Sequence, residues 1–256
     1  MKIMPSLNSD SDAREKLIFA LDVGEDIQEA LTWVERLSGH VGLFKIGKEA
    51  FTNFGPDLVH QVYAKGGSVF LDLKFHDIPN TVARAGEAAT GLRVSMFNVH
   101  ASGGKKMMEE TVTAVRIMAE KKQAPMPIIL AVTILTSLND HDIHDMGFQG
   151  TTREAVVRLA RMAQDAGVSG VVASAQDVDD LRKACGNDFL IVTPGIRGAG
   201  DATDDQKRTL SPREAILRGA DYLVVGRPIR LAENPAQEAD AIVQEIAAGL
   251  AMRNKR

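Results

Sequence analysis

The sequence predicts a single-domain α/β fold, a (β/α)8 TIM barrel. Eight short β-rich runs alternate with helical patterns along the whole chain. Its 256 residues suit the about 250 typical of one such barrel, although about 150 residues per domain would also admit two domains. Runs such as Ile128-Ile129-Leu130-Ala131-Val132 are continuously apolar, as strands covered on both faces are. A doubly wound open sheet is the structural alternative. No G-x-G-x-x-G follows the first strand, which weakens a dinucleotide-binding version of it.

The first strand covers 17–22 (LIFALD). A helix follows over 25–38, where Ile27, Ala30, Leu31, Val34 and Leu37 recur near helical spacing. Strand two is 41–46, and the helix over 48–65 is interrupted near Gly55-Pro56, because proline lacks the helical donor. Strand three is 68–74 (SVFLDLK), followed by an alanine-rich helix over 80–91. Strand four is 94–100, with a long helix over 104–121. Strand five is 127–133 (PIILAVT); a looser stretch precedes the helix over 152–166. Strand six is 168–173 with a helix over 175–184. Strand seven is 189–193; a Gly/Asp-rich loop over 195–206 leads to a helix over 212–219. Strand eight is 222–225, and the closing helix runs from Pro235, a favoured first-turn residue, to 252. One barrel domain is expected over 16–256. The polar residues 1–15 lack the apolar stretch of a signal peptide and read as a flexible leader.

Composition bounds the function. Hydrophobic residues at 45% and charged residues at 25% argue against a mostly disordered or fibrous chain. A net charge of −4 gives no global electrostatic case for nucleic acid or an anionic membrane. No apolar run approaches the about 18 residues of a membrane span. The single cysteine, Cys185, excludes an intrachain disulfide and fits a reducing compartment. A cytoplasmic protein without nucleic-acid or membrane partners is expected.

In a barrel, chemistry collects where strands end and βα loops begin. Those ends carry Asp22, Lys45, Asp72 with Lys74, His100, Thr136, Arg197 and Arg227. Asp72 and Lys74 are two residues apart, so a regular strand points them to the same side; Asp77 follows past the strand end. Buried charges without partners are costly, so this group must be paired or near water. A salt-bridge ring closing the mouth is the structural reading. A lysine held protonated between carboxylates, ready to act as an acid, is the functional one. Gly226-Arg227 after strand eight and Arg197 after strand seven suit a phosphate, with Gln206 in the loop between. Each arginine alone reads as a solvated charge. Ala101-Ser102-Gly103-Gly104-Lys105 lacks the Walker A pattern and reads as a tight turn, and His100 as a structural hydrogen-bonding group. His141-Asp142-Ile143-His144-Asp145 has a metal-like composition without H-E-x-x-H spacing and reads as a solvated turn. Cys185 lacks a C-x-x-C partner and reads as structural.

These residues resemble the orotidine 5′-phosphate decarboxylase family in its bacterial form, from about Leu17 to the C-terminal helix. The most specific block is Phe70-Leu71-Asp72-Leu73-Lys74-Phe75-His76-Asp77-Ile78-Pro79-Asn80-Thr81. It is joined, in order, by Leu43-Phe44-Lys45-Ile46-Gly47-Lys48-Glu49, Asn98-Val99-His100-Ala101-Ser102-Gly103-Gly104, Val192-Thr193-Pro194-Gly195-Ile196-Arg197 and Val225-Gly226-Arg227-Pro228. No expected functional position departs from the family pattern. The resemblance implies a homodimeric barrel that uses neither metal nor organic cofactor. It implies decarboxylation of orotidine 5′-phosphate to UMP and CO2 in de novo pyrimidine biosynthesis. By resemblance, Asp22 contacts the ribose hydroxyls, Lys45 binds the ribose, Asp72 lies near the substrate carboxylate, and Lys74 donates the proton that replaces CO2 at C6. Asp77 and Thr81 would reach into the neighbouring subunit's site, and Thr136 would lie near the pyrimidine. Gln206, Gly226 and Arg227 would hold the phosphate, with Arg197 beside them. Two other classes stay open. One is a Mg2+-dependent sugar-phosphate aldolase or isomerase on a related barrel that shares D-x-K-x-x-D. The other is a non-catalytic nucleotide-binding protein, against which the intact charged tetrad argues.

Overall fold

Eight parallel strands close on themselves in chain order, each hydrogen-bonded to its sequence neighbours. The computed structural model describes residues 9–22, 24, 26–196 and 210–254. Its strands are β1 (Leu17–Ala20), β2 (Leu43–Gly47), β3 (Val69–Phe75), β4 (Met96–His100), β5 (Ile128–Val132), β6 (Gly170–Val172), β7 (Leu190–Pro194) and β8 (Tyr222–Val225). Between and around them lie helices α1 (Ser9–Glu15), α2 (Ile27–Leu37), α3 (Lys48–Ala64), α4 (Pro79–Gly91), α5 (Lys105–Lys122) and α6 (Asp140–Asp145). The ring continues with α7 (Thr152–Asp165), α8 (Val178–Cys185), α9 (Pro212–Arg218), α10 (Arg227–Arg230) and α11 (Pro235–Arg253). The pairing of β1 with β8, Leu17 with Leu223 through Phe19 with Val225, closes the barrel and excludes the open-sheet alternative.

Local chemistry accounts for several boundaries. Helix α3 is broken at Gly55, with φ 60° and ψ −153°, one residue before Pro56. Proline disfavours helical backbone in the preceding residue, and glycine accepts the positive φ without steric penalty. Helix α4 begins at Pro79 behind an extended Ile78 (φ −59°, ψ 152°) for the same reason. Asp77 and Ile78, in the loop just before α4, are exposed.

The sequence reading places a flexible leader over 1–15; residues 1–8 lie outside the described residues, whereas Ser9–Glu15 are helical. Residues Ser9–Glu15 form helix α1, which packs against α11 and β1, with Ala13 fully buried. A polar heptapeptide carries too little apolar pattern to announce a helix; its order comes from contact with an element over two hundred residues away.

The core has two shells. Strand residues facing the helices pack with the amphipathic stripes of α2, α7 and α8. Inside the barrel, Ile18, Ala20, Leu43, Phe70, Met96, Leu130, Val192 and Val224 form a separate apolar plug. Inward-facing positions recur every second residue. Two residues beyond the plug, toward the strand C-termini, the inward positions of three adjacent strands turn polar. Leu43 gives way to Lys45, Phe70 to Asp72, and Met96 to Asn98. The apolar plug thus forms the floor of a polar mouth.

Packing inside the plug is tight at Gly170, where an added Cβ would lie 2.3 Å from the carbonyl oxygen of Leu190. Gly170→Ala is expected to destabilise the protein by about 1–3 kcal/mol, the usual range for overpacking. At Gly91, the last residue of α4, an added Cβ meets nothing within 4 Å. Gly91→Ala is expected to be neutral or to stabilise by about 0.4–1 kcal/mol. Urea-unfolding midpoints of the two variants against the unsubstituted protein check this contrast.

Candidate active site

Four charges form a chain across the mouth. The Lys45 Nζ donates to Asp22 Oδ1 at 3.1 Å and lies 3.5 Å from Asp72 Oδ2. The Lys74 Nζ donates to Asp72 Oδ1 at 2.6 Å. The order is Asp22, Lys45, Asp72, Lys74, with alternating signs summing to zero. Exposure rises toward both ends: the side chains of Lys45 and Asp72 are 11% and 13% exposed, Lys74 26% and Asp22 53%. The middle pair is therefore held in a poorly screened environment, while the outer members face the opening.

The reason Asp72 and Lys74 meet differs from the sequence argument. Strand β3 does not stay regular: Leu71 pairs with Phe97 and Phe75 with Val99, so four steps on β3 oppose two on β4. Within this bulge Lys74 has φ 53°, left-handed for a non-glycine residue. Such a conformation costs on the order of 1–3 kcal/mol and persists only where surroundings over-determine it. Asn98, fully buried on β4, makes two of the bonds that do so. Its Oδ1 accepts the Lys74 backbone N–H at 2.8 Å, and its Nδ2 donates to Asp72 Oδ1 at 2.6 Å.

Two clefts adjoin the tetrad. One, of about 210 Å³, is lined by Lys45, Asp72, Lys74 and Thr136 against apolar Phe70, Val132 and Ile134. The other, of about 220 Å³, is lined by Asp22, Lys45, Gly195, Gly226, Arg227 and Arg230. Lys45, Pro194 and Val224 line both, so the clefts lie side by side in the barrel mouth. An open groove of about 670 Å³ lies outside the barrel between α7 and α8. Its Arg153 and Lys183 pair with Asp180 within the groove.

The structure gathers Asp22, Lys45, Asp72, Lys74, Thr136, Gly226 and Arg227 around these two clefts. Asp77 does not join the tetrad; it is exposed and its Oδ1 accepts the N–H of Ile78 at 2.6 Å. Thr81 is exposed in the first turn of α4. Arg197 and Gln206 lie outside the described residues.

Three residues near the site were not singled out from sequence. Asn98 could have been found by parity, since Met96, Asn98 and His100 alternate on β4. Gly47 ends β2 where an added Cβ would lie 3.1 Å from Lys45 Nζ and 3.4 Å from Asp22 Oδ1, crowding the ion pair. Arg230 lines the second cleft and donates to the Asp22 carbonyl, a contact across 208 positions that no local pattern announces.

The His100 ring packs 5.3 Å from that of His76. Burial, aided by neighbouring His76, Lys48 and Lys74 and opposed by Asp72, lowers its pKa to about 4. It is therefore neutral at pH 7. The His141–Asp145 run forms α6, begun by a reciprocal capping box between Asn139 and Asp142. Burial raises the pKa of the Cys185 thiol, in keeping with a structural role.

A closed parallel barrel whose charged and polar groups converge at the C-terminal mouth, above an apolar floor, is the architecture of a (β/α)8-barrel enzyme. Residues 15–242 match the family model described as "Orotidine 5'-phosphate decarboxylase / HUMPS family". The chain belongs to that family. It is 62% identical over 251 residues to an orotidine 5′-phosphate decarboxylase of Syntrophus aciditrophicus, covering 98% of this chain and 100% of the relative. It is 53% identical to the enzyme of that name from Geotalea daltonii, covering 93% of this chain and 98% of the relative. Among solved structures, orotidine 5′-phosphate decarboxylase from Lactobacillus acidophilus superposes with a TM-score of 0.80 at 35% identity, covering 90% of this chain and 98% of that one.

The lowered pKa of His100 makes a stability prediction. The unfolded chain takes up this proton near the ordinary histidine value of 6.5, whereas the folded chain resists it until about 4. Unfolding therefore binds a proton in that window, and stability falls as pH drops from about 6.5 toward about 4. His100→Gln should flatten this part of the melting-temperature profile and leave its slope above about pH 7 unchanged, as read by circular dichroism across pH.

Proposed function

We infer that this protein decarboxylates orotidine 5′-phosphate to UMP and CO2, the terminal step of de novo pyrimidine biosynthesis. The observation that carries the reading is the alternating charge chain along an apolar-walled cleft, beside a second cleft bearing Gly226, Arg227 and Arg230. The first cleft suits a flat ring whose reacting carbon faces Lys74. The second suits the ribose and phosphate, with guanidinium groups able to bind phosphate oxygens.

The chemistry follows from charge. The bond between C6 and the carboxylate carbon breaks, its electron pair stays on C6, and CO2 leaves. That pair occupies an sp² orbital the ring delocalises poorly, so electrostatic stabilisation must supply much of the rate enhancement. The Lys74 ammonium faces the developing charge, then gives its proton to C6 and regains one from solvent. Asp72 keeps Lys74 aimed, and Lys45 spans Asp22 and Asp72. Asp22 would accept from the ribose hydroxyls with Lys45 beside it, and Thr136 would meet the pyrimidine. Gly226 and Arg227, with Gln206 and Arg197, would take the phosphate. Its binding energy, remote from C6, can support the transition state. The reading needs no metal or organic cofactor.

A homodimer completes the proposal. Asp77 is exposed and bonded to the Ile78 N–H rather than to a tetrad member, beside an Ile78 that is 66% exposed. These features favour Asp77 and Thr81 entering the site of a second copy across a two-fold axis. Residues 16–256 would then serve as one catalytic domain per subunit. Among the described residues no helix is long and apolar enough to cross a membrane; a cytoplasmic setting suits this metabolic role.

Two experiments test these readings. UMP formation from orotidine 5′-phosphate should proceed unchanged in EDTA and be lost in Lys74→Ala with the fold intact. Loss in EDTA would instead favour the Mg2+-dependent barrel class, and wild-type turnover in Lys74→Ala would remove Lys74 as the acid. Lys74→Ala and Asp77→Ala, each inactive alone, should regain activity when co-expressed, because a hybrid dimer rebuilds one intact site from the two chains. No recovery on mixing would place Asp77 in its own subunit's site.

A further inference from the structure

We propose that Asn98 is a positioning residue for the reaction, holding the Lys74 backbone and the Asp72 carboxylate in one register. The inference rests on the decarboxylase reading above and deepens it. The side chain is fully buried, so each of its polar atoms needs a partner. Both bonds described above go to β3, and to the two residues that deliver and orient the proton. The amide acceptor takes the N–H of Lys74 at the point where φ is 53°. The amide donor approaches the same Asp72 oxygen that holds the Lys74 ammonium. One planar group therefore fixes both ends of the Lys74 side chain: its backbone root and the carboxylate anchoring its tip.

The Lys74 N–H lies in the bulge between β3 and β4, and Asn98 supplies its acceptor from the neighbouring strand. A carboxylate in this place would accept from Lys74 but face Asp72 with like charge. A serine would be too short to span both. An amide alone among side chains of this size offers an acceptor and a permanent donor in one plane. Asn98 does not line either cleft, so it acts on the substrate only through Lys74 and Asp72.

The effect belongs in turnover, not in binding. In the decarboxylase reading the ribose and phosphate are held at the ends of β1, β2, β7 and β8, whereas both hydrogen bonds of the Asn98 side chain go to β3. Asn98→Ala should lower kcat by about 10–100-fold, while KM and the dissociation constant for UMP stay within about threefold. Asn98→Asp is the conservative partner. Its charge environment is Asp72 and Lys74 from β3, Lys45 from β2 and His100 on its own strand, while β5 offers Leu130 opposite. When protonated it restores both bonds. Its kcat relative to Asn98→Ala should therefore rise as pH falls from about 8 to about 5.5. Circular dichroism and gel filtration establish the fold of each variant first. Wild-type kcat in folded Asn98→Ala, or a loss confined to KM, overturns the inference. If the alanine variant does not fold, the same-shaped Asn98→Asp carries the test through its pH profile; a pH-independent kcat there overturns it, as does failure of both to fold. The unsubstituted protein is assayed alongside: its failure to form UMP would sink the decarboxylase reading, whereas its success with an unaffected Asn98→Ala sinks only this inference.

Discussion

The carboxylate of Asp72, enclosed in the barrel mouth between two lysines and an amide, is the constraint on which the rest of the site depends. A charge this withdrawn from water is tolerated only with partners on all sides. Asp72 has them: Lys74 and Asn98 on one oxygen, Lys45 facing the other. Each partner imposes a condition of its own. Lys45 needs Asp22 beyond it, and room that a side chain at position 47 would take. Lys74 needs the bulge in β3 and a left-handed backbone. Asn98 needs a fully buried place on β4, directly above the apolar plug.

That arrangement is poor for stability and good for chemistry. Filling the mouth with apolar side chains would remove several desolvation penalties at once. The chain instead keeps a net-neutral row of four charges whose two ends open toward the clefts. Neutrality lets the row survive low screening, while the Lys74 ammonium at one end lines the first cleft. The apolar floor of Phe70, Met96 and Leu130 beneath excludes water from below, which strengthens every electrostatic contact above it.

Much of this was legible in the chain. Each of the eight strands lies at or within three residues of where its apolar run placed it, because burial on both faces leaves an unmistakable composition. Asp22, Lys45, Asp72, Lys74 and Arg227 stood out because charged residues at strand ends of a barrel have few places to go but its mouth. The helix α1 did not stand out, since Ala13 is a single buried residue in a polar segment. Arg230 and Gly47 escaped notice because their contacts are made with Asp22 and Lys45 through space rather than along a periodic pattern.

By itself, the sequence determined the fold class, the order of its elements and which charges would meet. Hydrophobic period and strand-end position are properties of the chain read locally, and they survive whatever the neighbours do. Only the tertiary structure decided how those charges meet. Regular alternation would have paired Asp72 with Lys74 on an undistorted strand, whereas the pairing is made across a bulge that an amide on the next strand holds open. That outcome depends on the register of β3 against β4, and register is a balance of packing and hydrogen bonds between segments that no single segment records.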